Sequence, residues 1–307
     1  MREVFQAIDQ EIGNMLTHIA DDTYTVIFSG HGMQANALDV PSMMMLSEFM
    51  HRWHFGEPAL APGQLNQPLP EPETNYSQHW KHEIWNRRAA TATGLDSPTE
   101  QQANGAPLSW MPANWYKPLW PQMRAFALPS YSEGQIRINL KGREARGLVD
   151  IGEYDALCQA LCEQLEQLTN ARTGKPMVRK ISRTRQHPLE SSPNAAPADL
   201  LVHWDESGPT DAVDHPLIGR IGPVPYFRTG GHRSHGFLMT KGPGIEAGTR
   251  LAEGKATDIP ATILTLMGIS PPSYFDGRSL IKSTLQTSDQ SARRSPAKEK
   301  ELSVHAS

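Results

Sequence analysis

Cysteine is nearly absent from this 307-residue chain, which contains only Cys158 and Cys162. Two thiols four residues apart on a predicted helix exclude a disulfide framework, and we expect them to be core or half-buried thiols. Long apolar runs are missing as well. No stretch of about 18 apolar residues could cross a bilayer, and the N-terminus lacks the apolar core of a signal peptide. The sequence therefore predicts a cytoplasmic protein without a membrane partner.

The chain also lacks a strong excess of charge of one sign, since its formal net charge is -4. Without a dominant basic field, nucleic acid is not an expected partner. The hydrophobic fraction is 38%, and 24 Gly and 25 Pro indicate a globular protein rich in loops. The length allows one large domain or two small ones.

A β-branched and aromatic run, Thr25-Val26-Ile27-Phe28, precedes Ser29-Gly30-His31-Gly32-Met33. The run predicts a buried strand that ends at a histidine between two glycines. Ligands bind at the carboxyl ends of strands in open α/β sheets. His31 is therefore a candidate ligand-binding residue, and a glycine turn with an incidental histidine is the alternative.

The remaining periodicity predicts an α/β fold. Apolar residues at helical spacing predict amphipathic helices, and alternating or continuous apolar runs predict strands. A methionine-rich segment at 42–50 predicts a short packed helix. The predicted helices are 3–20, 152–169 (with the stripe Leu157, Leu161, Leu165 and Leu168) and 257–268, and the predicted strands are 135–140, 177–184, 199–205 and 237–241.

Residues 51–132 form an irregular excursion rich in tryptophan and proline. Tryptophans in such a segment must bury their large apolar area, so the excursion either covers the domain surface or forms a lid over a substrate pocket. Within it, the polar stretch 91–107 is predicted to be a mobile loop. We assign 1–282 to one domain and predict that 283–307 is a disordered tail.

A second glycine-flanked histidine occurs in Gly230-Gly231-His232-Arg233-Ser234-His235-Gly236, just before the strand at 237–241. From these residues alone, a solvated loop histidine and a metal ligand are both open. Asn139, Lys141 and Arg233 are candidate anion-binding residues, with solvated surface charge as the alternative. The spacing Asp211-x-x-x-His215 is also found in metal sites, but it lies in a Pro/Gly loop and is expected by chance, so we do not assign it as a ligand pair.

These motifs resemble the alkaline phosphatase superfamily, in its type I phosphodiesterase/nucleotide pyrophosphatase and sulfatase-like branch. Ser29-Gly30-His31-Gly32-Met33 resembles the family segment Ser-Asp-His-Gly-Met, and 230–236 resembles its Gly-x-His-Arg-x-x-Gly pattern. Similar matches are Asn-Leu-Lys-Gly-Arg-Glu at 139–144 and Asp-Gly-Arg-Ser-Leu at 276–280. The resemblance covers most of residues 3–50 and 135–281, in the family's order.

The resemblance implies an alkaline-phosphatase-like sheet flanked by helices, of which this chain is the incomplete C-terminal portion. It implies two divalent metal ions, usually zinc, with His31 as a ligand of one and His232 of the other. His235 is an alternative ligand. Gly30 stands where the family has an aspartate ligand, so the ligand set is incomplete. The nucleophile would lie in an upstream half of the domain, and no catalytic residue is assigned here.

The implied activity is hydrolysis of a small-molecule phosphate or sulfate ester, with the chain incomplete or inactive alone. A phosphomutase of the same superfamily is a further expectation, because it shares the sheet and the ligands. The alternative from another class is a degenerate, non-catalytic α/β interaction domain. Metal binding separates the two classes, since an interaction domain should be indifferent to chelators.

Overall fold

A computed structural model describes residues 2–66, 80–92, 94–185, 187–190, 195–225 and 228–281. The chain is a mixed α/β structure with small antiparallel sheets. Its α-helices are α1 (Arg2–Leu16), α2 (Leu46–Phe55), α3 (Trp80–Trp85), α4 (Pro98–Ala103), α5 (Pro112–Trp115), α6 (Tyr154–Leu165) and α7 (Asp258–Leu266). Its strands are β1 (Thr25–Ser29), β2 (Gly32–Ala35), β3 (Ala125–Leu128), β4 (Gly134–Ile138), β5 (Thr169–Asn170), β6 (Val178–Arg183), β7 (Leu200–Trp204), β8 (Val213–Asp214), β9 (Gly230–Arg233) and β10 (Phe237–Lys241).

The chain divides into two compact units. Unit 1 consists of residues 1–32 and 234–307, and unit 2 consists of residues 33–233. The expected tail at 283–307 lies outside the described residues. No helix in the described ranges has the length and apolar character needed to cross a membrane.

In unit 1, β1 pairs antiparallel with β10, from Thr25 opposite Lys241 to Ser29 opposite Phe237. The strand itself is confirmed, but its predicted burial is wrong: Phe28 is 49% exposed. The side chain of Phe28 lines an apolar groove with residues of α7. Among the described residues β1 has one neighbouring strand, and burial depends on such long-range covering, which an apolar run cannot encode.

The amphipathic helix predicted at 3–20 is confirmed as α1. None of its residues is buried, so its apolar stripe faces solvent within unit 1. Phe5 is 66% exposed, for example, and Val4, Ile8 and Met15 are exposed as well. Periodicity therefore predicted the helix but not whether anything covers its apolar face.

In unit 2, a four-stranded antiparallel sheet has the order β3-β4-β7-β6. The predicted alternation in β4 is confirmed, because Ile136 and Ile138 are fully buried. The leucine stripe of α6 and the following turn is also buried, as predicted. Cys158 on this helix is a buried free thiol, and burial raises its pKa to about 11.

The methionine segment forms a π-helical turn (Pro41–Met45) that continues into α2, and its side chains are buried. The described part of 51–132 also contributes to the core of unit 2, since Trp115 and Tyr116 are buried. The stretch 91–107 predicted to be a loop contains α4. Its first turn is closed by a capping box, in which the side chains of Ser97 and Glu100 each accept the other residue's backbone N–H. This local signal outweighs the polar composition.

Glu48 is the centre of a buried hydrogen-bond network in α2. Its carboxylate accepts from Arg52 Nε at 2.7 Å, from the hydroxyl of Tyr116 at 2.5 Å, and from the backbone N–H groups of Ala59 and Leu60 at 3.0 and 3.1 Å. The Glu48 side chain has no exposed surface, and that of Arg52 is 7% exposed. The network therefore ties α2 to the segment that follows it and to α5.

Asp199 is the centre of a second buried network, just before β7. Arg143 donates to both carboxylate oxygens at 2.7 Å, and Arg185 Nε lies 3.2 Å from Oδ1. The hydroxyl of Tyr154 and the backbone N–H of Ile138 also donate to this carboxylate. Two arginines thus share one fully buried negative charge.

Candidate functional site

His31 lies on the turn between β1 and β2, where the sequence placed it, and its side chain is exposed. The hydroxyl of Ser29 donates to the carbonyl oxygen of His31 at 2.6 Å and closes the turn. The imidazole Nδ1 lies 3.4 Å from the carbonyl oxygen of Gly32. The turn therefore fixes the backbone of His31, and the side chain is exposed there.

Within unit 1, the first glycine-histidine motif meets the last residues of the second at the same end of the β1–β10 pair. Ser29 pairs with Phe237, which places the turn that contains His235 and Gly236 beside the turn that contains His31. A Cβ atom on Gly236 would lie 1.9 Å from the carbonyl oxygen of Ser29. Glycine is therefore required at position 236 by main-chain contact. The His235 side chain is exposed.

Gly30 is not constrained in this way. A Cβ atom there would have one neighbour within 4 Å, the Cβ of Ala256 at 4.0 Å. The φ angle of Gly30 is not positive, so the backbone there has no need of glycine. The backbone at position 30 can therefore accept an aspartate, the residue that the family pattern has there.

His232 lies on β9 in unit 2 and is exposed. Next to it, Gly231 is buried against Asn36, since a Cβ on Gly231 would lie 3.2 Å from the Asn36 side-chain oxygen. Asn36 donates to the Asp39 carboxylate at 3.2 Å. Burial raises the pKa of Asp39, and the nearby charges of Arg228 and His232 oppose that rise. Unit 2 thus brings His232 close to a buried carboxylate that the sequence analysis did not identify.

Asp39 forms an ion pair with Arg228, whose Nη1 lies 2.8 Å from Oδ2. The guanidinium also lies over the ring of Tyr131, with Cζ 5.6 Å from the ring centroid. Arg228 and Asp39 are far apart in the chain and belong to no motif. Their only sequence signals are the proximity of Arg228 to the Gly-Gly-His segment and the Asn-x-x-Asp spacing, both too weak to single them out.

The candidate anion-binding residues have structural partners. The Asn139 amide is buried and donates to the carbonyl oxygens of Trp120 and Met123 at 3.2 and 2.9 Å. Lys141 forms an exposed ion pair with Asp150 at 2.8 Å. The side chain of the third candidate, Arg233, is exposed on β9. Anion binding by these residues stays a prediction.

Asp211 and His215, which we did not assign as ligands, also have structural partners. Asp211 accepts two hydrogen bonds from Arg172, both 2.8 Å long. The His215 Nδ1 accepts the backbone N–H groups of Leu217 and Ile218, both at 3.2 Å. Both nitrogens of the ring are engaged, because Nε2 lies 3.0 Å from the Gln164 carbonyl oxygen.

The donor chemistry of the histidine motifs fits part of a zinc site. Exposed imidazoles on fixed turns are ordinary zinc ligands, but a zinc ion takes three or four protein ligands. No group of three or more His, Cys, Asp or Glu side chains suited to a metal occurs within the described ranges. His31 belongs to unit 1 and His232 to unit 2. The described donors therefore supply at most part of a ligand set.

Comparisons with protein-family models, with curated proteins and with solved structures give no match. The motifs and the geometry of these residues are therefore the basis for assigning a function.

Proposed function

We propose that the chain is the C-terminal part of a metal-dependent hydrolase of phosphate or sulfate esters, related to the type I phosphodiesterase/nucleotide pyrophosphatase branch of the alkaline phosphatase superfamily. In this proposal His31 and His232 each bind one of two divalent ions, which we propose are zinc, and His235 is the alternative ligand. A zinc ion at such a site supplies a Lewis acid for a phosphoryl or sulfuryl oxygen. The remaining ligands and the nucleophile come from an upstream half of the domain.

The observation that carries this proposal is that the first glycine-histidine motif meets the last residues of the second, about two hundred positions later in the chain. The register of β1 and β10 places Ser29-Gly30-His31 beside His235-Gly236-Phe237. The main chains approach so closely that Gly236 admits no side chain. The His31 and His235 imidazoles are both exposed on these turns, and imidazole is an ordinary zinc ligand.

Zinc binding tests the proposal directly. We expect the chain to compete for zinc with a chromophoric chelator, and His31→Ala and His232→Ala each to weaken zinc binding by about tenfold or more, as losses around metal sites commonly do. His18→Ala is the control, because His18 is an exposed histidine of unit 1 whose Nδ1 contacts the Asn14 carbonyl oxygen. Because the chain alone supplies only part of each ligand set, the titration is made with the upstream half of the domain present. A wild type that binds no zinc under those conditions, or histidine variants that bind it unchanged, would contradict the proposal.

Restoring the family's aspartate should strengthen the first metal site. Position 30 has room for a side chain, so we expect Gly30→Asp to raise zinc affinity by about tenfold through an added carboxylate ligand. Gly30→Ala adds the Cβ atom without the carboxylate and should leave the affinity unchanged. The same competition titration measures all three proteins. Equal affinities for the Asp and Ala variants would remove position 30 from the metal site.

A non-catalytic interaction domain is the second candidate. The observation that favours it is the exposed apolar stripe of α1, since a contiguous exposed apolar face is typical of interaction surfaces. In that case chelation with EDTA should change neither stability nor binding of a partner. Loss of zinc with a measurable fall in thermal stability would instead favour the hydrolase.

A further inference from the structure

We propose that Arg228 forms a binding site for a tetrahedral oxyanion, the phosphoryl or sulfuryl group of an ester, held in place by Asp39 and Tyr131. The proposal extends the proposed function, on which the choice of a tetrahedral anion depends. The site lies wholly within unit 2, so its geometry requires nothing of unit 1.

Arg228 has hydrogen-bond donors that its ion pair with Asp39 does not use. The ion pair with Asp39 is made through Nη1, which lies 2.8 Å from Oδ2. Within the described ranges, Nε and Nη2 have no hydrogen-bond partner. Two adjacent N–H groups on one edge of a guanidinium match two oxygens of a phosphate or sulfate. The Arg228 side chain is 40% exposed, so a small anion can reach that edge.

Two other arginines of unit 2 that pair with aspartate, Arg220 and Arg172, differ in this respect. Arg220 engages Asp214 through both Nε and Nη2, each at 2.7 Å. Arg172 engages Asp211 in the same two-point manner, through Nε and Nη2 at 2.8 Å. In these pairs the aspartate occupies the edge that an anion would need. In Arg228 that edge is left open.

The Arg228 guanidinium is held in position before any ligand binds. Asp39 is buried and is itself fixed by Asn36, and the ring of Tyr131 lies against the face of the guanidinium. A side chain already held in place loses less conformational entropy on binding than a free surface arginine. The Asp39 charge offsets part of the attraction for an anion, so we expect millimolar affinity for the free ion.

The exposed neighbours on β9 fit the same ligand. His232 and Arg233 follow Arg228 closely in the chain, and both side chains are exposed. His232 and Arg228 lie near the same carboxylate, since the charges of both oppose the rise in the pKa of Asp39. An anion on Arg228 would therefore lie in the neighbourhood of the histidine proposed to bind a metal ion.

The test is a titration of the chain with inorganic phosphate, followed by ³¹P NMR in the presence of EDTA. We expect millimolar binding, weakened by about tenfold in Arg228→Gln, because two charge-assisted hydrogen bonds are lost. Arg228→Lys keeps the charge opposite Asp39 and so protects the fold, yet lacks the two-point edge. It should bind about threefold more weakly than the wild type. Circular dichroism confirms that each variant is folded.

Arg220→Gln is the matched control, because Arg220 has similar exposure, 36%, but its Nε and Nη2 both donate to Asp214. It should bind phosphate like the wild type. No binding by the wild type, unchanged binding by Arg228→Gln, or an equal loss in Arg220→Gln would each overturn the site.

Sulfate and acetate titrations identify the ligand class. Sulfate should compete with phosphate, and acetate as tight as phosphate would overturn the tetrahedral assignment. Because EDTA removes metal ions, the phosphate titration measures binding to the protein alone. Its result therefore does not depend on the outcome of the zinc titration. Phosphate binding lost only in the Arg228 variants would support the anion site even if the metal proposal failed.

Discussion

Glu48→Ala is expected to destabilise unit 2 by about 3–5 kcal/mol, the range for removing one partner of a buried ion pair. The substitution leaves the Arg52 charge without its carboxylate and deprives the Tyr116 hydroxyl and two backbone N–H groups of their acceptor. All seven tryptophans of the chain lie between residues 53 and 204, within unit 2. Urea unfolding followed by tryptophan fluorescence therefore reports on the right unit.

Two further variants sharpen this measurement. Tyr116→Phe removes a single hydroxyl and should cost about 1–3 kcal/mol, and its effect should be much smaller in a Glu48→Ala background, since both act on one network. Arg124→Ala breaks an ion pair of similar length, 2.8 Å to Glu153, in which both side chains are about half exposed. It should cost less than about 1 kcal/mol. If Glu48→Ala and Arg124→Ala lowered the free energy of unfolding equally, the buried network would stabilise unit 2 no more than an exposed ion pair does.

Asp199→Ala is the second large effect that we expect, also about 3–5 kcal/mol. The change leaves Arg143 and Arg185 buried without the carboxylate that they share. It also removes the hydrogen-bond acceptor of the Tyr154 hydroxyl and of the Ile138 backbone N–H. The same fluorescence measurement applies. Asp199→Asn keeps the shape and removes the charge, so it separates the loss of charge balance from the loss of packing.

Asp214→Ala is the matched control for this carboxylate. Asp214 accepts two hydrogen bonds of 2.7 Å from Arg220, the same length as those that Arg143 donates to Asp199, but the pair is more than a third exposed. Solvent screens such a pair, so we expect a loss below about 1 kcal/mol. If Asp199→Ala were as mild as Asp214→Ala, burial would not be what makes the Asp199 network important.

Local patterns predicted many of the elements. The leucine spacing of α6 and the alternation of β4 are signals contained in a few consecutive residues, and both are confirmed. The burial of β1 was predicted wrongly because burial depends on what covers a strand. The pairing of β1 with β10 was not predicted, since its residues are about two hundred positions apart and no short segment encodes such a contact.

The candidate site likewise contains residues that the sequence could identify and residues that it could not. His31 and His232 could be named from the sequence because glycines mark them, and the structure places both at accessible positions on turns or strands. Asp39 and Arg228 could not be named. An aspartate and an arginine in irregular segments carry no periodicity, and their ion pair exists only after unit 2 has folded.

The close approach at Gly236 bears on how a saturation mutagenesis survey of this chain should be interpreted. Any residue other than glycine would push the backbone at Ser29 away and displace both histidine turns at once. Position 236 would then score as intolerant as a true ligand, although it has no atom that could bind a metal ion or a substrate. Intolerance at this position would report steric crowding, and chemical rescue by added imidazole, which restores a missing ring but not a displaced main chain, would tell the two cases apart.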